Sequence, residues 1–168
     1  MQRYYLSIDI GGTAIKSARI DHSGNIITTD QLPTPQRADD FLGALAQLIH
    51  ASQDVHAVCV SVPGIVNPTT GQVEFTGALG FMGEFNLAEY VRRLTELPVY
   101  VGNDANCATL AEMWLGNLTT VANGAVVTLG TSVGGGLMIN GQLLAGPHFR
   151  AGEISAIVNN YDHLEAHK

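Results

Sequence analysis

Four short segments of this sequence bring together residue types that can handle phosphate and hydroxyl groups. In Asp9-Ile10-Gly11-Gly12-Thr13 a carboxylate precedes two glycines and a hydroxyl. Glycines let backbone N–H groups approach an anion closely, and successive N–H groups cradle phosphate oxygens. Asp9 repels a bare phosphate, so a phosphate here implies a cation between them, most simply hydrated Mg²⁺. The same residues also fit a plain hairpin turn. Leu129-Gly130-Thr131-Ser132-Val133-Gly134-Gly135-Gly136 offers two hydroxyls and four glycines between apolar runs. It reads as a second phosphate-type loop. Its spacing is not that of a dinucleotide fingerprint, and no Gly-Lys-Ser/Thr of a P-loop occurs. Gly102-Asn103-Asp104-Ala105-Asn106 joins a buried strand to a helix. Asp104 there can take a proton from an attacking hydroxyl, or it can simply cap the helix, a role worth roughly 0.5–2 kcal/mol. Gly152-Glu153 sets a carboxylate where polyol hydroxyls could donate to it, although a solvated loop acid is an equally plain reading. Lys16 stands three residues after Thr13 and reads either as a phosphate contact or as a solvated strand lysine.

Composition narrows the partners. The 168 residues carry 8 Lys+Arg against 15 Asp+Glu, a net charge of −7. Without a basic cluster the chain is not expected to bind nucleic acid, because phosphate neutralisation needs one. The hydrophobic fraction of 46% supports a true core, and 19 glycines with only 14% charged residues suggest tightly looped chain around a ligand. Two cysteines, Cys59 and Cys107, show neither a disulfide framework nor metal spacing, and no two of the six histidines are spaced as metal ligands, His148 included. No apolar run approaches the ~20 residues of a membrane span. No signal segment is visible. A cytoplasmic protein without a membrane partner is expected.

Elements that would hold these segments follow from periodicity. Alternation in residues 4–10 predicts a strand with one strongly apolar face. Residues 14–20 and 26–29 continue it as an antiparallel meander. Phe41, Leu45, Leu48 and Ile49 recur at helical spacing. Residues 57–62 form a β-branched run ended by Pro63-Gly64 and read as a central strand buried on both faces. Residues 72–75 suggest a short edge strand. Asn86 and Glu89 make a capping pair before a helix that carries Leu87, Val91, Leu94 and Leu97 and stops at Pro98. Residues 99–101 predict a strand, 105–115 a helix, and 125–129 and 136–139 two strands around the second glycine loop. No internal repeat is evident. The expected class is α/β, a mixed sheet covered by helices.

In family order, the sequence resembles the N-terminal half of the ROK family (repressor, open reading frame, kinase), whose sugar kinases belong to the actin-like ATPase superfamily. The matching stretches are Asp9-Ile10-Gly11-Gly12-Thr13, Ser61-Val62-Pro63-Gly64-Ile65-Val66, Asn103-Asp104-Ala105-Asn106, the glycine loop from Leu129 to Gly136, and Gly152-Glu153. The resemblance implies an actin-like (ribonuclease H-like) lobe and ATP-dependent phosphorylation of a hexose or hexoside, usually at the 6-OH. It implies Asp104 as the base, Asn103 as a hydroxyl-binding partner, Gly64, Gly77 and Glu153 around the sugar, and Asp9, Gly11, Gly12, Thr13, Gly130, Thr131 and Gly134 around Mg²⁺ and phosphates. A full-length homodimer is implied as well.

This sequence departs from the family in three places. Many members follow Gly-Glu with Gly-His, whereas this chain reads Ile154-Ser155-Ala156. The CxCGxxGCxE zinc motif is missing, so no zinc is expected, as in a zinc-free branch that includes β-glucoside and fructose-type kinases. The sequence also stops near the lobe junction, which sets residues 1–158 as one lobe, 159–168 as a polar tail or the start of the junction, and the second lobe as absent. Two other functions compete with the kinase. One is a truncated, non-catalytic sugar-binding remnant. The other is a sugar-responsive regulator of the same family, which the eight residues before Asp9 leave no room to equip with a DNA-binding module.

Overall fold

The computed structural model of the protein describes residues 3–52, 54–130 and 132–156. Alternating apolar residues make Tyr4–Ile10 a strand (β1) whose Leu6, Ile8 and Ile10 point into the core. It folds back antiparallel onto Ala14–Asp21 (β2), which pairs in turn with the exposed edge strand Ile26–Pro33 (β3). The helix Ala38–Ala51 (α1) leads to Val58–Val62 (β4), parallel to β1. Ile65–Val66 (β5), Gln72–Glu74 (β6) and Glu84–Asn86 (β7) form a small antiparallel sheet, with a 3₁₀ turn at Gly77–Met82 before β7. The helix Leu87–Thr95 (α2) returns the chain to Val99–Asn103 (β8), parallel to β4. The large sheet therefore runs β3-β2-β1-β4-β8.

One face of that sheet is the core. Phe41, Leu45, Leu48 and Ile49 of α1 and Leu87 and Val91 of α2 cluster with Ile8, Ile10, Val58, Val60, Val62 and Val101. Phe41 is fully buried and meets Phe75 and Phe81 edge-on at 6.3 and 6.2 Å between ring centroids, the geometry aromatic quadrupoles favour. Tyr90 of α2 donates its hydroxyl to the Leu42 carbonyl of α1 at 2.8 Å. The third helix, Asp104–Leu115 (α3), starts directly from the end of β8. Beyond it, Gly124–Leu129 (β9), Val133–Ile139 (β10) and Gln142–Leu143 (β11) form a separate antiparallel meander.

Several expectations change. The described strands form three sheets, because β9 to β11 pair only with one another. Their strand, glycine bend and returning strand take the same form as the β1–β2 connection, as the two glycine loops between apolar runs suggest. Residues 72–74 are the middle strand of the small sheet and not an edge, since β5 and β7 flank them. β4 alternates between buried and half-buried residues, so only one of its faces is fully covered. α2 ends at Thr95, where Glu96 turns left-handed (φ 57°); Leu97 precedes a proline and cannot continue a helix. β10 begins at Val133 and not at Gly136, so Gly134 and Gly135 join Gly136 as strand residues. Residues 159–168 lie outside the described residues.

Phe41→Ala deletes a fully buried ring at the junction of α1 with the small sheet. A loss of about 3–5 kcal/mol in urea unfolding is expected; a change below about 1 kcal/mol would mean that the site collapses without cost.

Candidate functional site

Strands β1, β4 and β8 run parallel, so all three deliver their carboxyl ends to one edge of the sheet, where ligands of open α/β sheets gather. The register aligns Gln31, Lys16, Asp9, Ser61 and Gly102 in one row across the five strands. Asp9 is exposed and accepts a hydrogen bond on Oδ1 from the Ser61 hydroxyl at 3.0 Å. Lys16 is exposed too and lines, with Asp9, Ser7, Thr29 and Gln31, an open groove of about 570 Å³ on this polar face.

The bend after β1 is closed by the Gly11 N–H to the Ala14 carbonyl (2.9 Å). Thr34, itself buried, secures the bend through its hydroxyl to the Gly11 carbonyl (2.6 Å) and its N–H to the Thr13 carbonyl (3.0 Å). The Gly11 N–H is therefore spent on the bend. The N–H groups of Gly12 and Thr13 take no acceptor among the described residues and are the ones that can meet an anion. A Cβ on Gly12 would lie 2.8 Å from that of Ala78, so the bend rests on the 3₁₀ turn that starts at Gly77. Gly77 has φ 58°, and a methyl group at its Cα would meet no atom within 4 Å, which leaves open space beside it.

Asn103 organises the next segment. Its Oδ1 accepts from the Asn106 N–H (3.0 Å) and caps α3, while its Nδ2 donates to the Gly64 carbonyl (3.1 Å). The cap is thus Asn103 and not Asp104. Asp104 is the first residue of α3, exposed, with Oδ1 accepting from the Ala105 N–H (2.8 Å). Gly64 has φ 118°, and a Cβ there would collide with the Glu74 carbonyl oxygen, so glycine is required for the strap over β6.

The glycines of β10 have a packing role. A Cβ on Gly134 would approach that of Ala105 at 3.0 Å, one on Gly136 would overlap the Thr109 hydroxyl, and one on Gly135 would overlap the Gly152 carbonyl oxygen. β10 is therefore pressed between α3 and the turn at Gly152, and that turn carries Glu153 towards Asp104. Burial raises the Glu153 carboxyl above its usual range, and the nearby Asp104 charge raises it further. Arg150 pairs with Glu74 at 3.5 Å and tethers the same segment to β6. Gly130 closes its own bend by donating to the Ser132 carbonyl (3.0 Å) and has no close neighbour beyond it. Thr131 lies outside the described residues, and His148 is an exposed turn residue.

Ser61 and Cys107 are the contributors that sequence reasoning missed. Cys107 lies over Gly102, where a Cβ would come within 2.7 Å of its sulfur. Burial pushes its thiol up to about 11, helped by the charges of Cys59, Asp104 and Asp9 and opposed by Ser61. Both acids are therefore close enough to act on one sulfur. No local signal in the sequence pairs Ser61 with Asp9; the register of β1 on β4 does.

The sequence model of the ROK family matches residues 5–162. A β-glucoside kinase of Listeria monocytogenes serovar 1/2a is 41% identical over 148 residues, 88% of this chain and 50% of that protein. The crystal structure of a ROK family glucokinase from Streptomyces griseus in complex with glucose and AMPPNP superposes with a TM-score of 0.86 at 30% identity, over 94% of this chain and 51% of that one. A ROK family protein from Streptococcus pneumoniae TIGR4, crystallised with sucrose, gives 0.81 at 35% identity over 94% and 53%. The chain spans about half the length of the curated relatives it matches. Among the described residues no helix is long and apolar enough to cross a membrane, and no group of three or more His, Cys, Asp or Glu could hold a metal ion alone.

Two measurements check the geometry. Asp104→Asn removes a neighbouring charge, so the Glu153 carboxyl is expected to titrate lower in a ¹³C NMR titration; an unmoved midpoint would separate the two acids. With its thiol near 11, native Cys107 holds about a hundredfold less thiolate at pH 8 than an unfolded cysteine. Its alkylation by iodoacetamide is expected to be slower by about that factor, and equal rates in native and denatured protein would contradict the burial.

Proposed function

The chain belongs to the ROK family, and we propose that it forms the phosphate- and sugar-facing part of a kinase that transfers a phosphoryl group from ATP to a hexose or hexoside hydroxyl, the 6-OH. One observation carries this reading: with Asn103 capping α3, Asp104 stands exposed at the edge where β1, β4 and β8 end, beside Glu153 and near Asp9.

In this reading the sugar lies between the Gly64 strap, the open space at Gly77 and Glu153. The Glu153 carboxylate accepts ring hydroxyls, and Asn103 keeps a second Nδ2 hydrogen for another hydroxyl oxygen. Asp104 accepts the proton of the attacking hydroxyl as that oxygen closes on phosphorus. The Gly12 and Thr13 N–H groups and the Thr13 hydroxyl hold phosphate oxygens from one side, with Gly130 and Thr131 on the other. Gly11 and Gly134 act by shaping these bends. A single exposed carboxylate, Asp9, fits Mg²⁺, which keeps several waters and takes its remaining ligands from phosphates. When bound, that ion would neutralise charge on the transferring group. The homodimer, the exclusion of nucleic acid and a cytoplasmic location belong to the same proposal. They draw on the family resemblance, the acidic balance and the lack in this sequence of an apolar run near the ~20 residues of a membrane span.

In an ADP-release assay with hexoses and β-glucosides, Asp104→Asn is expected to lower kcat by at least ~10²-fold. Near-normal turnover would remove Asp104 as the base. Calorimetry with the same sugars is expected to show binding retained in Asp104→Asn and weakened in Glu153→Gln.

A further inference from the structure

We infer that Ser61 is a positioning residue for Asp9: its hydroxyl fixes one carboxylate oxygen so that the other is presented to the hydrated cation of a nucleotide. This rests on the phosphate-facing role given above to the β1–β2 bend. Ser61 and Asp9 are register partners on adjacent parallel strands, and the Ser61 hydroxyl donates to Oδ1 at 3.0 Å. Lys16, the neighbour of Asp9 on the other side, makes no ion pair with it among the described residues. Ser61 is thus the one side chain among the described residues that restrains the Asp9 carboxylate.

The next position in the row is Gly102, and there the absence of a side chain admits the Cys107 sulfur. The helix that starts with Asp104 is seated by that contact against the row containing Ser61. Ser61 itself is half-buried between an exposed acid and this helix. The placement links the phosphate-side carboxylate to the element bearing the proposed base through the Ser61 hydroxyl and the Cys107 sulfur beside it.

A hydrogen bond to an exposed carboxylate adds little to folding stability, because water replaces it when it is lost. It does restrict the carboxylate's rotation, and a carboxylate that coordinates a cation through water needs a fixed direction. The loss of Ser61 should therefore appear in cation-dependent nucleotide binding and not in the melting temperature.

Calorimetric titration of the chain with ATP, once with excess Mg²⁺ and once with EDTA, tests this. Ser61→Ala is expected to weaken Mg-ATP binding about five- to twentyfold, with binding in EDTA and the circular-dichroism melt unchanged. Ser61→Thr, which keeps the hydroxyl, is expected to bind Mg-ATP like the unsubstituted chain. Unchanged Mg-ATP affinity in Ser61→Ala, or an equal loss with and without Mg²⁺, would overturn the assignment and leave Ser61 a packing residue. Failure of the unsubstituted chain to bind Mg-ATP would overturn the phosphate-facing role of the bend, and this inference with it.

Discussion

The site depends on how the amide of Asn103 is used. Its oxygen satisfies an orphan N–H at the start of α3, and its nitrogen holds the Gly64 carbonyl. A helix start needs such an acceptor. Because the residue before Asp104 supplies it, Asp104 spends only Oδ1 on the helix start, at the Ala105 N–H, and its exposed carboxylate keeps Oδ2 for a ligand. The same side chain anchors the strap after β4 to the start of α3. Two of the chemical segments are therefore held at a fixed separation by one residue.

The glycine-rich segments are held by close backbone approach. Three successive glycines of β10 lie against α3 or the turn at Gly152, and a single methyl at 134, 135 or 136 would intrude on a neighbour. The high glycine content serves two purposes. At Gly12 it lets a bend lie on the 3₁₀ turn, and in β10 it lets a strand lie on a helix. Only the first of these leaves N–H groups for a ligand.

Much of the fold was legible in the sequence. The apolar alternation of residues 4–10 and the helical spacing of Phe41, Leu45, Leu48 and Ile49 became β1 and α1 because each pattern matches the face that is buried. Asn86 caps α2 by accepting the Glu89 N–H, as the pair suggested. Strand partnership was not legible. Nothing local in residues 72–74 tells a middle strand from an edge, and nothing in residues 124–143 shows that they pair apart from the large sheet. Gly134 and Gly135 looked like loop because glycine usually marks one; only the approach of α3 and Gly152 explains them as strand. In the site, the residue types of Asp9, Asp104 and Glu153 were legible, but the duties of Asn103 and Ser61 were not. Those duties are long-range hydrogen bonds, spanning 39 and 52 positions, which no periodicity encodes.

The account stands on Asp104 being free to meet a hydroxyl that Glu153 helps to hold. An experimental structure of the protein with a β-glucoside and a magnesium-loaded, non-hydrolysable ATP analogue tests this most directly. The account predicts the acceptor hydroxyl within about 2.6–3.2 Å of the Asp104 carboxylate, with the terminal phosphate over the Gly12 bend. A sugar held elsewhere, with Asp104 turned to solvent, would contradict it.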